Sequence, residues 1–363
     1  MNDKRDVKPG QSINRRDFLK LGGLAGAASI LAGCGGTAAE PTKVPSPVWP
    51  PPGATQAVSQ PTQAVLQPTP TAAQSAGEIA LRIAHISDMH VGPENPGTKG
   101  FTRALKNVKE RSPGVDLVLN TGDCVGDSMR ATKDQTRAQW DAFKGVVKAE
   151  VSLPIHHAIG NHDVWGWGLP ADERKRLRSD PLFGKGFALQ ELGIPDRYYS
   201  FEMAGWRFLV LDSIHVPEFD IGHAYTGKLD DEQFSWLEQQ LQATPPSTPV
   251  CVVSHIPILT ACELLDGPNE STGNWVVPGA WVHIDARRLW SLFWQHPNVK
   301  LCLSGHTHQV EDLRYHGVKY LTDGAICANW WNASQPAYMD FPPGYVVVNL
   351  YTDGSSESEF VAY

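Results

Sequence analysis

Histidine, aspartate and asparagine recur in five short polar blocks, and each block directly follows an apolar, strand-like run. The last block, at residues 304–308, reads SGHTH and holds His306 and His308 one residue apart. Along an extended segment side chains repeat with a period of two, so we expect both imidazoles to point the same way. The blocks at 85–90, 120–127, 159–163, 253–257 and 304–308 together offer these candidate metal ligands: Asp88, His90, Asp123, Asn161, His255, His306 and His308.

This set combines two carboxylates, one amide and four imidazoles, without a thiolate. Mixed oxygen and nitrogen ligands suit a divalent metal of borderline hardness. The set is too large for one tetrahedral ion, but it fits two ions that share a bridging carboxylate. His306 and His308 could then serve one ion each. The sequence therefore predicts a centre with two divalent metal ions, and the candidates are Mn²⁺, Fe²⁺ or Fe³⁺, and Zn²⁺.

The elements that must position these side chains alternate between strands and helices. Apolar runs predict strands at 79–87, 115–119, 153–159, 206–211, 249–254, 299–304 and 344–350, and helical spacing predicts helices at 102–111, 135–149, 230–241 and 284–294. This alternation is typical of an α/β domain. The polar blocks should therefore meet at the carboxyl edge of a sheet, where ligands collect. Gly122, Gly160 and Gly305 each precede a candidate ligand and should allow the backbone conformations of tight turns.

The order and spacing of the five blocks resemble the signature of the calcineurin-like metallophosphoesterase superfamily. The motifs D-x-H, G-D, G-N-H-D, H and G-H-x-H stand at 88–90, 122–123, 160–163, 255 and 305–308. The resemblance covers roughly residues 80–325. It implies a four-layer αββα sandwich, in which two mixed β-sheets pack face to face and helices flank them.

The resemblance also implies a role for each residue of the site. Asp88, His90 and His308 would hold one metal ion, Asn161, His255 and His306 would hold the other, and Asp123 would bridge them. His162 would approach the phosphoryl group or protonate the leaving oxygen, and Asp163 would orient the loop; both are candidate catalytic residues. The implied reaction is hydrolysis of a phosphoric ester through a metal-bridging hydroxide, because two divalent ions activate water at neutral pH.

Several substrates are compatible with this signature. A phosphodiester, including a cyclic nucleotide, is favoured over a phosphomonoester, and a nucleotidase or a phospholipid-diester hydrolase of the same fold stays an alternative. The absence of tyrosine from residues 123–127 argues against a purple acid phosphatase. A non-catalytic surface binding protein that keeps its metals is a further alternative. His162 speaks against it, since a structural metal site does not need an imidazole that binds no metal.

The amino-terminal residues read as export and tether sequences. Residues 14–20, NRRDFLK, resemble a twin-arginine export signal, a pathway that carries folded proteins. The apolar stretch that follows ends in LAGC, which resembles a lipobox and makes Cys34 the candidate lipidation site. We therefore expect a signal at 1–34, a disordered linker rich in Pro, Thr, Ala and Gln at 35–77, and the metallophosphoesterase domain at 78–363. The protein would be exported and anchored to a membrane as a lipoprotein.

The composition limits the kinds of partner that the protein can bind. The formal net charge of −8 argues against stable binding of nucleic acid, which needs a basic surface. The oligomeric state stays open.

Several residues near the motifs have two possible interpretations. Asp127 could support the site or a turn, whereas His85, His156 and His157 are better explained as structural histidines. The basic run at 174–178 is better explained as a solvated helix face than as a phosphate-steering patch. The tryptophan-rich segment at 329–332 could be the rim of the site or sheet packing.

Overall fold

The computed structural model describes residues 77–93, 96–111, 113–216, 225–265, 270, 272–332 and 341–363. The expected signal and almost all of the expected linker, Cys34 included, lie outside these residues. Within the described residues, no helix is both long enough and apolar enough to cross a bilayer.

The described residues form strands and helices in alternation. The strands are β1 Ile79–Ile86, β2 Leu117–Asn120, β3 Ile155–His157, β4 Tyr199–Met203, β5 Trp206–Val210, β6 Ile214–His215, β7 Thr226–Gly227, β8 Val250–Val253, β9 Val299–Ser304, β10 Val310–Tyr315, β11 Val318–Asp323, β12 Gly344–Tyr351 and β13 Ser356–Ala362. The helices are α1 Gly97–Glu110, α2 Lys133–Glu150, α3 Ala171–Leu177, α4 Gly186–Leu192, α5 Asp231–Ala243 and α6 Ala286–Gln295, with a 3-10 turn at Cys262–Leu264.

Two large mixed sheets carry the fold. The first sheet has the order β13-β12-β1-β2-β3, and the second has the order β10-β11-β9-β8-β5-β4. In the first sheet β1, β2 and β3 run parallel, and the antiparallel β12 lies beside β1. In the second sheet β11, β9, β8 and β5 run parallel, between the antiparallel edge strands β10 and β4. The parallel strands of each sheet thus end at a common edge.

Three buried clusters of apolar side chains define four layers. Ile83 and Leu119 of the first sheet pack against Val253 and Leu303 of the second, so the two sheets lie face to face. The other face of the first sheet packs against α1 and α2. The other face of the second sheet packs against α5 and α6. The predicted αββα sandwich of two mixed sheets flanked by helices is confirmed.

The layers follow from local sequence patterns. Helix α2 begins at a capping box, in which Thr132 and Gln135 each bond the backbone N–H of the other. The spacing of Trp140, Phe143 and Val146 then places them on one buried helix face. Each predicted strand and helix is present within a few residues of its expected bounds. Strands β4, β6, β7, β10, β11 and β13 and helix α4 were not predicted, whereas α3 contains most of the basic run that the sequence assigned to a solvated helix face.

The contribution of close packing between the two sheets to the free energy of unfolding can be tested by shortening a buried side chain. Leu303 is fully buried there, whereas Leu265 is 53% exposed on a surface turn. Leu303→Ala should lower the free energy of unfolding by about 2–5 kcal/mol, because the sheets cannot collapse onto the vacated space. Leu265→Ala should change it by about 0.5 kcal/mol or less. Chemical denaturation of both variants measures the difference. Equal losses would show that Leu303 is not part of a close-packed interior.

Candidate active site

All of the predicted ligands come from turns at the carboxyl ends of parallel strands. Asp88 and His90 follow β1, Asp123 follows β2, Asn161 follows β3, His255 follows β8, and His306 and His308 follow β9. Because the two sheets pack with these ends together, the structure brings the whole set to one place. His306 N, from the second sheet, donates to Asp88 Oδ2 of the first sheet over 2.8 Å.

Five of these residues adopt a left-handed backbone, which is rare for residues with a side chain. They are Asp88, His90, Asp123, His306 and His308, with φ between 41° and 69°. Such conformations are unfavourable and cluster at functional sites. The expectation that His306 and His308 share an extended segment was therefore wrong, since β9 ends at Ser304. Both imidazoles reach the site from a left-handed turn instead.

The glycines of the motifs are needed mainly because neighbouring turns come too close there for a side chain. Of the three predicted turn glycines, only Gly122 has a positive φ, at 111°. A Cβ on Gly160 would lie 2.2 Å from Asp123 N, and a Cβ on Gly305 would lie 1.8 Å from Ser87 Oγ. Neither distance is possible between non-bonded atoms. The lack of a side chain at Gly160 and Gly305 therefore lets neighbouring turns touch. The prediction that these two glycines allow a special backbone conformation was wrong, because neither has a positive φ.

One cluster of side chains centres on Asp88. His308 Nε2 lies 3.3 Å from Asp88 Oδ1, and His90 Nε2 lies 3.8 Å from the same oxygen. The two Nε2 atoms are 3.2 Å apart. Asp88 Oδ1 is buried and accepts no hydrogen bond among the described residues. A buried carboxylate oxygen without a donor is costly, so this group of atoms fits a cation.

A second cluster centres on His255. Its Nε2 lies 3.0 Å from Asn161 Oδ1, 3.2 Å from His306 Nδ1 and 3.3 Å from Asp123 Oδ2. The same Asp123 oxygen is 3.7 Å from His90 Nε2 of the first cluster. Asp123 therefore lies between the two clusters, where a bridging carboxylate would be needed.

The backbone fixes which ring nitrogens carry protons. One nitrogen of each of three rings lies within 2.9 Å of a carbonyl oxygen: His255 Nδ1 on Thr121, His306 Nε2 on Ala280 and His308 Nδ1 on Ala328. A carbonyl only accepts, so these nitrogens donate, and the other nitrogen of each neutral ring is a lone pair. Those lone pairs face one another, carboxylates and an amide oxygen. Positive charge would stabilise such a cluster, and imidazoles oriented in this way are typical of metal ligands.

The pKa of His255 shows the same demand for positive charge. Burial lowers the pKa of this imidazole, but the nearby carboxylates of Asp123, Asp88 and Asp163 together outweigh burial and raise it to about 9. A metal ion would supply the positive charge that these carboxylates favour here. The buried thiol of Cys327 lies 3.9 Å from His308 Nδ1. Burial raises the pKa of the Cys327 thiol. Its sulfur lies close enough to the ring nitrogens of His90 and His308 for the three side chains to be able to hold a metal ion, a ligand that the sequence did not predict.

His162 and its neighbours lie beside Asp123. The backbone N–H of His162 donates to Asp123 Oδ1 over 2.8 Å, and its Nδ1 lies 3.7 Å from Asp127 Oδ1. Burial lowers the pKa of His162, but the charges of Asp123 and Asp127 outweigh burial and raise it. Asp127 also accepts from Met129 N over 2.8 Å. Asp127 thus contacts both the ring of His162 and the backbone of a turn, which is consistent with each of its two open interpretations.

Asp163 holds backbone rather than facing the clusters. Its carboxylate accepts N–H groups from Asp123, Cys124, Val125 and Gly160, at 2.8–3.3 Å. These bonds join the turn after β2 to the turn after β3. Asp163 thereby fixes the position of the Asp123 side chain relative to that of Asn161.

Two tryptophans that follow β11 complete the site. Trp331 Nε1 donates to the carbonyls of Met89 and His90, at 3.0 and 3.3 Å. Trp330 packs on His90 with ring centroids 3.9 Å apart and ring planes tilted by 32°, and its ring meets that of His162 nearly at right angles, with centroids 4.9 Å apart. The sequence singled out this segment as possible rim, but it did not predict the contact with His90. The Asn-Trp-Trp-Asn pattern was the only local signal.

The remaining histidines of the strands have structural partners. His85 is buried between the sheets and lies 3.1 Å from Thr121 Oγ1, and burial lowers its pKa to about 3. His157 Nδ1 lies 2.9 Å from Asn120 Nδ2, and His156 stacks on Phe201 at 3.5 Å. Their structural interpretation is consistent with these contacts. The basic run at 174–178 falls on α3, which has no buried residue, and its end, as expected of a solvated face.

The fold and the site agree with the match to a known family. Residues 81–310 match the calcineurin-like phosphoesterase family, and the chain belongs to it. It is therefore a metal-dependent hydrolase of phosphoric esters. Residues 12–32 match the twin-arginine translocation signal, so the chain carries a signal for export.

Individual relatives are distant but cover most of the chain. The chain is 26% identical over 292 residues to the 3',5'-cyclic adenosine monophosphate phosphodiesterase CpdA of Escherichia coli K12, covering 78% of this chain and 90% of that protein. It is 23% identical over 290 residues to a 3',5'-cyclic-nucleotide phosphodiesterase of Nostoc, covering 77% and 91%. It is also 23% identical over 251 residues to a probable glycerophosphodiester phosphodiesterase of Arcobacter nitrofigilis, covering 66% and 76%.

Among solved structures, a dimetal phosphatase from Danio rerio shares the fold. The two chains superpose with a TM-score of 0.51 at 17% identity, over 79% of this chain and all of the other. At this identity the likeness supports the architecture alone.

The two adjacent tryptophans provide a matched test of how the site is held. Trp331→Phe should lower the free energy of unfolding by about 1–3 kcal/mol, because two buried carbonyls lose their donor. Trp330→Phe should change it by less than about 0.5 kcal/mol, since Trp330 Nε1 makes no hydrogen bond among the described residues. Thermal or chemical denaturation of both variants measures this. A larger loss at Trp330 than at Trp331 would contradict the assignment of Trp331 as the anchor of the His90 turn.

Proposed function

We propose that this protein is an exported phosphodiesterase with a centre of two divalent metal ions. One observation carries the proposal: Asp123 lies between two buried groups of lone pairs that a positive charge would stabilise. The cyclic-nucleotide phosphodiesterases among its relatives support a diester substrate, and a cyclic nucleotide is the first candidate.

We assign Asp88, His90 and His308 to one ion and Asn161, His255 and His306 to the other, with Asp123 bridging them. The donors are imidazole, carboxylate and amide groups, which suit manganese, iron or zinc. When bound, the two ions would neutralise the phosphoryl oxygens and activate water for attack on phosphorus. The carbonyls of Thr121, Ala280 and Ala328 would keep three of the imidazoles in the ligating tautomer.

The chain itself supplies the acid for the leaving group. His162 is held next to Asp123 by its backbone, and Asp127 lies on the Nδ1 side of its ring. The charges of the two carboxylates favour the protonated imidazole, which can give a proton to the departing oxygen. Asp163 acts as a positioning residue, because its contacts are with the backbone of the two turns.

We further propose that Cys34 is lipidated after export and that residues 35–77 tether the domain of residues 78–363 to a membrane. The LAGC sequence and the proline-rich composition of the linker support this. The acidic net charge of −8 supports a small ester rather than stable binding of nucleic acid.

The first experiment is a paired assay of the chain from residue 77 to 363, which contains all three apolar cores. The protein is reconstituted with Mn²⁺ and offered bis-nitrophenyl phosphate, nitrophenyl phosphate and cyclic AMP. We expect hydrolysis of the diesters, and we expect a chelator to abolish it. A preference for the monoester would replace the phosphodiesterase with a phosphatase or nucleotidase. Two bound ions without hydrolysis of any of the three would favour a binding protein.

Replacement of the proposed acid separates catalysis from metal binding. His162→Ala should lower kcat by about 10²- to 10⁴-fold, the usual contribution of a general acid. The metal content should stay unchanged, because the backbone N–H that binds Asp123 is retained. His156→Ala is the matched control, since His156 stacks on Phe201 away from the clusters and should leave kcat unchanged. Metal analysis and steady-state kinetics decide this, and unchanged kcat in His162→Ala would refute the acid role.

A further inference from the structure

A cluster of aromatic side chains lies on the surface of the second sheet, outside the metal site. This aromatic patch consists of Trp290 and Trp294 of α6, Tyr315 at the end of β10, and His316 of the turn that follows. Trp294 is 61% exposed and Tyr315 is 49% exposed. Trp290 stands within 6.3 Å of Trp294 and of Tyr315, and His316 lies 4.8 Å from Trp294, measured between ring centroids. Such contiguous exposed apolar surface marks a site of interaction.

The patch lies at the end of the molecule opposite to the metal site. Trp294 is in the last turn of α6, and β9 begins just after it at Val299, whose N–H bonds His296 O over 2.9 Å. The Tyr315–His316 turn leads into β11, which runs parallel to β9 and pairs Lys319 with Leu301. Both features therefore sit where β9 starts, whereas His306 follows the end of β9. The strand separates them by roughly 20 Å.

The chain joins the folded domain at the same end as the patch. Gly77 N donates to Asp353 Oδ2 over 3.2 Å, and Thr352 N donates to Glu78 O over 2.9 Å. The adjacent Gly354 lies against Pro249 and Lys300, since a Cβ there would be 3.4 and 3.6 Å from their side chains. These two residues stand at the starts of β8 and β9. The linker thus joins the domain at the end of the second sheet where β8 and β9 start, which is also the end that carries the patch.

We propose that the aromatic patch rests in the headgroup layer of a lipid bilayer and turns the metal site away from the membrane. Tryptophan and tyrosine favour this layer because their rings are apolar at one end and polar at the other. The inference rests on the proposed anchor at Cys34. A tether of the length of residues 35–77 would keep the patch close to the surface at high effective concentration.

The test uses the chain from residue 35 to 363, which keeps the linker and all three cores but lacks Cys34 and its lipid. Binding to vesicles of phosphatidylethanolamine and phosphatidylglycerol is measured by cosedimentation. Trp294→Ser and Tyr315→Ser should each weaken binding about tenfold, because each removes an apolar ring from the interface. Trp275→Ser is the matched control, since Trp275 is 56% exposed but precedes Ala280, which contacts His306 at the other end. It should bind like the parent chain.

Each other outcome would overturn the proposal. If the parent chain does not bind vesicles, or if all variants bind equally, the patch does not contact the membrane. Equal weakening by Trp275→Ser would place the contact elsewhere. If Trp294→Ser changes the oligomeric state in analytical ultracentrifugation without lipid and leaves vesicle binding intact, the patch is a contact between copies of the chain. Diesterase activity, measured in parallel, separates failure of this proposal from failure of the proposed function.

Discussion

The site depends on an electrostatic imbalance among its buried side chains. Imidazole lone pairs, two carboxylates and an amide oxygen face one another at 3.0–3.8 Å, and backbone carbonyls hold three of the rings in this arrangement. Without compensating positive charge these groups would repel one another. Several residues of the turns adopt the left-handed backbone, which adds a further cost. The packed sandwich must outweigh both, which explains why rigid strand ends, rather than free loops, carry the ligands.

The sandwich meets that requirement by joining its two sheets at the site. The first sheet contributes Asp88, His90, Asp123 and Asn161, and the second contributes His255, His306 and His308. Bonds between turns, such as His306 N to Asp88, fix the relative position of the two sets. Residues without side chains are needed where turns touch, as at Gly160 and Gly305. Conformational change between the sheets would therefore disturb all of the ligands together.

The sequence predicted the parts of the structure that depend on local pattern. The apolar strands of the cores were found because they are short, β-branched and bounded by polar motifs. Strands β10 and β13 were missed because their residues, VEDLRY and SESEFVA, are mostly polar and lie at sheet edges. The contact of Trp331 with the turn after β1 could not be predicted, since it joins residues 241 positions apart through tertiary packing alone. The left-handed turns were not predicted, because residues with a side chain rarely adopt that backbone conformation.

The place of β12 has a consequence for the timing of biosynthesis. This strand is synthesised after β1, β2, β3 and all strands of the second sheet, yet it pairs with β1 along Ile79–His85 inside the first sheet. Until residues 344–351 have emerged from the ribosome, β1 therefore has one unpaired edge, and the turn that carries Asp88 and His90 stands on an incomplete sheet. The first sheet can be completed only after this late part of the domain has been synthesised. A twin-arginine signal suits such a protein, because a pathway that carries folded cargo lets the last strand close the first sheet before the protein leaves the cytoplasm.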